Sequence, residues 1–342
     1  MKTLTRQSKN IPLRRLLRLA TKHSFKITLL SRILTLTVNP VIDKSTTISS
    51  LIPNQKLNCT EPIYYSGGGG INVSRAIKNL GGESTALYLS GGRTGNHLQE
   101  LLSKDSIDQC IIDIKDITRE NLSVHDLNTD LQYRFGLPGP FVQKHEWQNS
   151  LDKIESLLNE NDFLVASGKL TAGIPDNYYK LVGDIVKRKK AKFVVDTKGR
   201  ALPHAITSEM YLFKPNLNEL ASLYNEQTLS TKSLKEATKK FMSTHACEIM
   251  VVSLGKRGAL LVTSNLFQYI AAPIVDEKNT IGAGDSMLAG MLIKAQAGKN
   301  AKVMTEYGIA CGAAATLKRG TKLCQLKDVE LIFKWLRRNV KI

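Results

Sequence analysis

From Ile33 onward the chain alternates short, continuously apolar runs with longer stretches whose apolar positions recur at helical spacing. Ile33–Val38 reads as a buried strand closed by Asn39-Pro40, and Thr85–Leu89, Phe163–Ala166, Lys192–Val195, Tyr211–Phe213 and Ile249–Val252 have the same character. Strands apolar on both sides belong to a sheet covered by helices on both faces. The intervening pattern predicts helices at Ile71–Leu80, stopped by Gly81-Gly82, and at Trp147–Leu158, Asp176–Arg188 and Leu217–Tyr224, with a mostly helical stretch from Gly282 to near the end. Such alternation predicts an α/β chain: a three-layer α/β/α sandwich with a mostly parallel central sheet, spanning residues 33–342. Two segments break the rhythm. Thr46–Tyr65 and Leu122–Phe135 carry strand-like stretches with no helix between them, as in the alternating Leu131, Tyr133 and Phe135. They predict a small second sheet over one edge of the first, with segments at about 44–66 and 119–138, placed as a lid to exclude water from a reaction.

The first 32 residues differ from the rest, holding nine Lys or Arg and no acid. Leu13, Leu16, Leu17 and Ala20 fall at helical spacing among Arg14, Arg15 and Arg18, the pattern of a basic amphipathic helix. There is no apolar core or small-residue cleavage site of a secretory signal. The composition resembles an organelle transit peptide, but a disordered extension or a misassigned start is the plainer reading. This tail also answers the nucleic-acid reading of the net charge of +18, because half of the excess sits on it. The remaining bases are interspersed with acids, and no nucleic-acid-binding motif is present, so no nucleic-acid partner is expected. The five cysteines are scattered without a CxxC pair, and the six histidines lack metal-ligand spacing. Both fit a cytoplasmic enzyme with free thiols. No apolar run is long enough to span a bilayer, so integral membrane contact is not expected.

Four local features carry chemistry. Gly282-Ala283-Gly284-Asp285-Ser286, followed by an apolar run, places small residues at a helix N-terminus, where free N–H groups and the helix dipole suit a transferring phosphoryl group. Asp285 in that turn can accept a proton from an attacking hydroxyl, or it can simply cap the helix, and the four residues alone fit both readings equally. Gly67-Gly68-Gly69-Gly70-Ile71-Asn72 is neither a Walker loop nor a dinucleotide fingerprint. Its glycines permit close backbone approach to a ligand, with Asn72 available to sugar hydroxyls; the bland alternative is a flexible connection. In Lys214-Pro215-Asn216-Leu217-Asn218-Glu219, the amide and carboxylate lie one turn apart, suited to hydrated Mg2+ beside ATP phosphates or to a capping box. The loop Ser253-Leu254-Gly255-Lys256-Arg257-Gly258 ends a strand and can border a nucleotide, though alone it is a weak signal.

In this order the features resemble the ribokinase-like, phosphofructokinase-B type carbohydrate kinases, from about Ile33 to Leu331. Gly67–Arg75 is similar to the family's first motif and Asn279–Gly290 to its second. Within the family, Gly67–Ile77, Thr118–Leu122, Tyr133-Arg134-Phe135 and Gly320–Cys324 resemble the minor, B-type 6-phosphofructokinase subgroup. The resemblance implies ATP-dependent phosphorylation of fructose 6-phosphate at O1, with tagatose 6-phosphate or fructose 1-phosphate as alternative substrates. It implies that Asp43, Asn72 and the backbone of Gly68, Gly69 and Gly70 meet the sugar, that Lys56 and Arg119 hold its phosphate, and that Asp285 is the base beside Gly282, Ala283 and Gly284. Lys214, Asn216, Ser253, Leu254, Gly255, Lys256, Arg257 and Gly258 would line the ATP side, with Glu219 organising Mg2+ through water. Asn279 and Ile281 become candidates for a monovalent cation such as K+, and a homodimer through the lid is expected. One departure stands out. Where the family has Ser-Gly-Ser-Leu-Pro, this chain has Ser167-Gly168-Lys169-Leu170-Thr171, so Lys169 is a candidate third cation at the substrate phosphate, a crowding residue that changes the preferred sugar, or a solvated lysine. A non-catalytic sugar-phosphate sensor is the reading from another class, which the intact Asp285 turn and Glu219 oppose.

Overall fold

A computed structural model describes residues 31–317 and 322–339; the readings placed on residues 1–30, and on Gly320 and Thr321, lie outside them. The described residues form two sheets. In the larger one, strands β1 (Ile33–Thr37), β4 (Thr85–Ser90), β5 (Asp108–Asp113), β8 (Phe163–Ser167), β9 (Lys192–Asp196), β10 (Met210–Phe213), β11 (Cys247–Ser253), β12 (Ala259–Val262) and β13 (Phe267–Ile270) run in the order β13-β12-β11-β10-β9-β8-β1-β4-β5. All pairings are parallel except those of β12 with β11 and β13. The smaller sheet holds β2 (Val41–Ile48), β3 (Ile63–Gly67), β6 (Arg119–Asp126) and β7 (Leu131–Gly136) in the order β3-β2-β6-β7, with β2 and β6 parallel in register Asp43↔Asn121. This is the ribokinase-like three-layer fold with its small second sheet, and the two irregular segments of the sequence supply that sheet.

The alternation of side chains along the central strands divides the core. Ile33, Phe163, Val165, Val194, Leu212 and Val251 face helices Gly69–Asn79, Ala283–Gln296, Ala301–Thr316 and Leu326–Asn339. Leu34, Leu36, Leu164, Ala166, Val195 and Phe213 face helices Lys144–Leu157, Tyr178–Arg188 and Thr231–Thr244 across the sheet. Helix Ala283–Gln296 is buried on most of its circumference, and two glycines let it pack closely. A methyl at Gly290 would strike the Cys311 side chain, and one at Gly308 would come within 2.9 Å of the Met287 carbonyl. At the N-terminal edge, Arg32 donates its amide to Asp162 Oδ1 at 2.7 Å and its guanidinium to Oδ2 at 2.9 Å, so the folded part takes in Ser31 and Arg32. No helix among the described residues is long and apolar enough to cross a membrane.

The structure departs from the hydrophobic pattern at several ends. The strand at Ile33 stops at Thr37, and the first predicted helix begins at Gly69, two residues early, because two glycines form its opening turn. The third predicted helix starts at Tyr178 and the fourth ends at Ser222. Strands β5, β12 and β13 and helices Gly92–Lys104 and Thr231–Thr244 are additions; β13 is an edge strand with only Ile270 buried, so it lacks an apolar run.

The order of strands matters for function. The sheet grows from β1 in two directions, through β4 to β5 and through β8 to β13, so a crevice opens where β1 and β8 diverge at their carboxyl ends, the usual place for ligands in such sheets. The glycine run is packed into that crevice. A Cβ on Gly69 would collide with Ser167 Oγ and come within 2.9 Å of the Gly168 nitrogen. Gly69→Ala is therefore expected to destabilise the fold by about 1–3 kcal/mol, as overpacking against backbone does, read as a lower denaturation midpoint with unchanged slope; an unchanged midpoint would show that the loop yields freely.

Candidate active site

The site begins with how the glycines hold Asn72. Thr37 Oγ1, at the end of β1, accepts the Ile71 amide at 2.9 Å, and a Cβ on Gly70 would sit 2.6 Å from that oxygen and 2.7 Å from the Leu36 carbonyl. Gly68, with φ of 117°, lies against Thr37 and Pro40. The run is thus a close junction of three backbone segments, and the reading as a flexible connection fails. From it Asn72 Nδ2 donates to Asp285 Oδ2 at 2.8 Å, joining two motifs 213 positions apart.

Asp285 is the third residue of its helix and does not cap it. Gly282 occupies the cap with φ of 74°, no side chain bonds the end, and Leu323 packs where a Cβ on Gly282 would be. The helix end is left with N–H groups lacking intrahelical acceptors and with the positive end of the dipole. Asp285 is half-buried. Burial, then the neighbouring Asp196 charge, pushes its pKa up to about 6, against the opposing pull of Asn72, Lys214 and Lys198.

Lys214 follows β10 and is buried, with Nζ 3.0 Å from Asp196 Oδ1 at the end of β9 and 3.6 Å from where a Cβ on Gly284 would stand. Burial works against its charge, but Asp196, Glu219 and Asp285 outweigh it and hold the ammonium above its usual range. Asn216 and Glu219 form the capping box: Glu219 donates its amide to Asn216 Oδ1 at 2.9 Å, and Asn216 donates its own to Glu219 Oε2 at 2.9 Å. Asn216 therefore precedes the helix as its cap, and only one Glu219 oxygen is committed to a backbone amide. Burial, with Asp196 adding to it, raises the Glu219 pKa although the Asn216 amide opposes the shift. Asn216 also bridges to Ser253, whose amide bonds the Pro215 carbonyl at 2.9 Å, bringing the third and fourth motifs side by side.

A cavity of about 370 Å3 adjoins them, lined by Ser253, Gly255, Lys256 and Gly258 and reaching Ala283 and Gly284. Leu254 and Arg257 do not line it. Its other wall comes from Ala272–Val275 and from Ile309, Gly312, Ala313 and Thr316, which have no chemical signature in sequence. On the opposite side a second cavity of about 230 Å3 lies under the lid, lined by Asp43, Asn121, Arg134, Gly136 and Ile281 among others. Asn121 Nδ2 donates to Asp43 Oδ1 at 2.9 Å, and Arg119 Nε to Asn39 Oδ1 at 2.9 Å. Burial pushes the Arg119 guanidinium down while Asp43 pushes it back. Ile281 donates its amide to Asn279 Oδ1 at 3.1 Å, closing the turn before the helix.

The structure therefore gathers Asn72, Asp285, Gly284 and Lys214, with Asp43 and Arg119 on the lid strands. It does not gather Lys56, which lies exposed on the loop between β2 and β3, and Lys169 is exposed at the end of the β8 loop. Three participants escaped the sequence reading: Asp196, Asn39 and Asn121. Asp196 and Asn39 each end or follow a strand at the carboxyl edge of the sheet, the one signal that marks them.

This combination of a parallel sheet, a lid and a carboxylate at an open helix end defines a phosphotransferase of the sugar-kinase kind. The sequence matches the pfkB family of carbohydrate kinases over residues 35–328, and the chain belongs to that family. It is 36% identical to the ATP-dependent 6-phosphofructokinase isozyme 2 of Escherichia coli, over 90% of this chain and 99% of that protein. Crystal structures of Escherichia coli phosphofructokinase-2 superpose over 90% of this chain and all of theirs: the complex with potassium at TM-score 0.87 and 36% identity, the tetrameric inhibited form at 0.85 and 35%, and the complex with fructose-6-phosphate at 0.84 and 35%.

A carboxylate raised to about 6 costs the folded state once it ionises. Its stabilising contribution is present below about pH 4, the unfolded value, and is lost as pH rises through 6. Asp285→Asn is accordingly expected to be more stable than the parent at pH 8, by about 1–3 kcal/mol, with the gap closing near pH 4. With Asp285 as the base, a role proposed below, turnover of the parent should rise with pH through about 6. Thermal denaturation and initial rates across this range check both; a pH-independent gap would contradict the burial assigned to Asp285.

Proposed function

We propose that this chain transfers the γ-phosphoryl group of ATP to O1 of fructose 6-phosphate. The observation that carries the reading is the Asn72–Asp285 hydrogen bond, which sets a carboxylate of raised pKa at an uncapped helix N-terminus beside a buried lysine. In this reading Asp285 takes the proton from the attacking hydroxyl, Asn72 orients the carboxylate, and Asp43 meets the sugar from the lid. The amides of Gly284 and its neighbours, together with Lys214, balance charge on the transferring group. The cavity bounded by Ser253–Gly258 is assigned to the nucleotide. Arg119 is assigned to the substrate phosphate; Lys56 keeps that role only if its loop is carried to the site.

The residues present suit Mg2+. Among the described residues no three His, Cys, Asp or Glu side chains converge, but Glu219 and Asp196 lie together beside Lys214, the sparse oxygen set that hydrated Mg2+ uses with phosphate oxygens. Bound there, Mg2+ would neutralise phosphate charge. The turn at Asn279 and Ile281 is assigned to a monovalent cation such as K+. Phosphorylation of tagatose 6-phosphate or fructose 1-phosphate is the second reading, prompted by the Ser167-Gly168-Lys169-Leu170-Thr171 departure from the family sequence.

An ADP-release assay over these three sugar phosphates tests the substrate. Turnover with fructose 6-phosphate is expected, abolished at least about 100-fold by Asp285→Asn; turnover confined to another sugar phosphate would favour the second reading.

Assembly follows from the lid. Leu131, Tyr133 and Phe135 alternate on one face of β7 and are exposed, unusual for a sheet edge, and we assign this face to a homodimer. A Tyr133→Asp/Phe135→Asp double variant is expected to sediment as a smaller species than the parent. An unchanged mass would remove the lid from the interface.

A further inference from the structure

Two groups of opposite charge lie close together at the base of the lid. Strand register fixes their places: Asp43 on β2 pairs with Asn121 on β6, and Val41 pairs with Arg119, so Asp43, Asn121 and Arg119 share one face of the small sheet. All three are half-buried. The charges are felt across the gap, since Asp43 pushes the Arg119 guanidinium up while burial pushes it down. Direct pairing is the expected outcome, because a bond between ionised groups is stronger than a neutral one. Yet no ion pair joins Asp43 to Arg119 among the described residues.

The Asn121 amide stands between them. Its Nδ2 donates to Asp43 Oδ1 at 2.9 Å, while its Oδ1 accepts from Arg119 Nη1 at 3.3 Å and from the Leu137 amide at 3.2 Å. A carboxylate accepts and a guanidinium donates, so an amide has one end for each. An aspartate of the same shape would bind Arg119 and repel Asp43, and a leucine would bind neither. The other Arg119 contacts are also to neutral oxygens: Asn39 Oδ1 at 2.9 Å and the carbonyls of Asn39 and Leu137 at 3.5 and 3.4 Å. The guanidinium is thus oriented without being neutralised. Asp43 likewise keeps Oδ2 free of hydrogen bonds among the described residues, against the glycine run, where a Cβ on Gly67 would stand 2.6 Å away. Opposite Asn121 on β7 is Gly136, with no side chain to fill the space, and the cavity of about 230 Å3 opens there.

We propose that Asn121 is a positioning residue that holds Asp43 and Arg119 apart, giving each a neutral partner so that the carboxylate stays open to sugar hydroxyls and the guanidinium to the substrate phosphate. The proposal rests on the kinase reading of the site and deepens it. Without the amide the two charges satisfy each other, and both contacts to the sugar phosphate are lost together. Asp285, bonded to Asn72, and the cavity bounded by Ser253–Gly258 share no hydrogen bond with these three residues. Loss of Asn121 therefore weakens ground-state and transition-state binding of the sugar alike and leaves the chemical step alone.

The test uses Asn121→Leu and Asn121→Asp, both close in shape to the parent side chain, each alone and combined with Arg119→Met. Calorimetric affinity for fructose 6-phosphate without ATP is measured throughout, with KM and kcat for the single variants and a melting curve for each. Either Asn121 variant is expected to raise Kd and KM for fructose 6-phosphate by about 10- to 100-fold, the scale of a charge-assisted bond, with kcat and the ATP KM within about threefold. Arg119→Met is expected to cost a similar factor in the parent, but no more than about threefold further in either Asn121 variant, where a carboxylate already holds the guanidinium. One Asn121 variant suffices for the comparison should the other melt early. A residue that merely stitches β2 to β6 would leave the Arg119→Met loss undiminished. That result would overturn the proposal, as would an unchanged Kd in the Asn121 variants or in Arg119→Met. The binding arm needs no turnover, so a chain that binds fructose 6-phosphate with this dependence on Asn121 yet fails to phosphorylate it would overturn the kinase reading alone; a parent that does not bind it removes both.

Discussion

The active arrangement depends on one steric constraint: the backbone of the glycine run must lie in van der Waals contact with the ends of β1 and β8. Gly70 fits against the Leu36 carbonyl and Thr37 Oγ1, and Gly69 against Ser167 and Gly168. No side chain intervenes, so the first turn of helix Gly69–Asn79 is fixed to the sheet by backbone geometry, and Asn72 inherits that precision. The hydrogen bond to Asp285 is its visible result. The second partner is held as well, because helix Ala283–Gln296 is buried between helices Gly69–Asn79 and Ala301–Thr316.

Electrostatics then set what the gathered groups can do. Asp196, Glu219 and Asp285 all act on the buried Lys214 ammonium, and burial opposes the ionisation of Asp285 and Glu219. Asp196 is paired with Lys214, and its charge adds to burial in raising Asp285 and Glu219. The proposed function asks for a base close to the working pH and a carboxylate suited to a cation, and burial supplies the raised pKa of both Asp285 and Glu219.

Much of this was legible in the sequence, for reasons that can be named. The central strands announce themselves because both faces are buried, as in Phe163–Ser167 and Met250–Val252. The lid was visible because Leu131, Tyr133 and Phe135 alternate without a following helix. The alternatives left open at Asp285 and at Asn216–Glu219 were decided by contacts across hundreds of positions or by cap geometry: Gly282 takes the cap that Asp285 might have filled, while the capping box is present as well as the carboxylate. What stayed hidden has no local signature. Asp196 is an ordinary strand-end acid until the fold sets it beside Lys214, and the wall made by Gly312 and Ala313 is merely small residues in a helix. Edge strand β13 lacks the double burial that marks its neighbours.

The register of the lid has a mechanical meaning. Val41 pairs with both Gly67 and Arg119, and Asn121 pairs with Gly136, so all four lid strands join the body along nearly one row of residues. That row would be the pivot of any swing of the sheet, with the strands as its lever. At about 3.3 Å per residue, Asp43 stands roughly 7 Å from the pivot and Ile48 roughly 23 Å. Any swing of the lid therefore moves the far rim about three times as far as Asp43. In the proposed function the groups that hold the sugar occupy the short arm, and the long arm is left for admitting and expelling water.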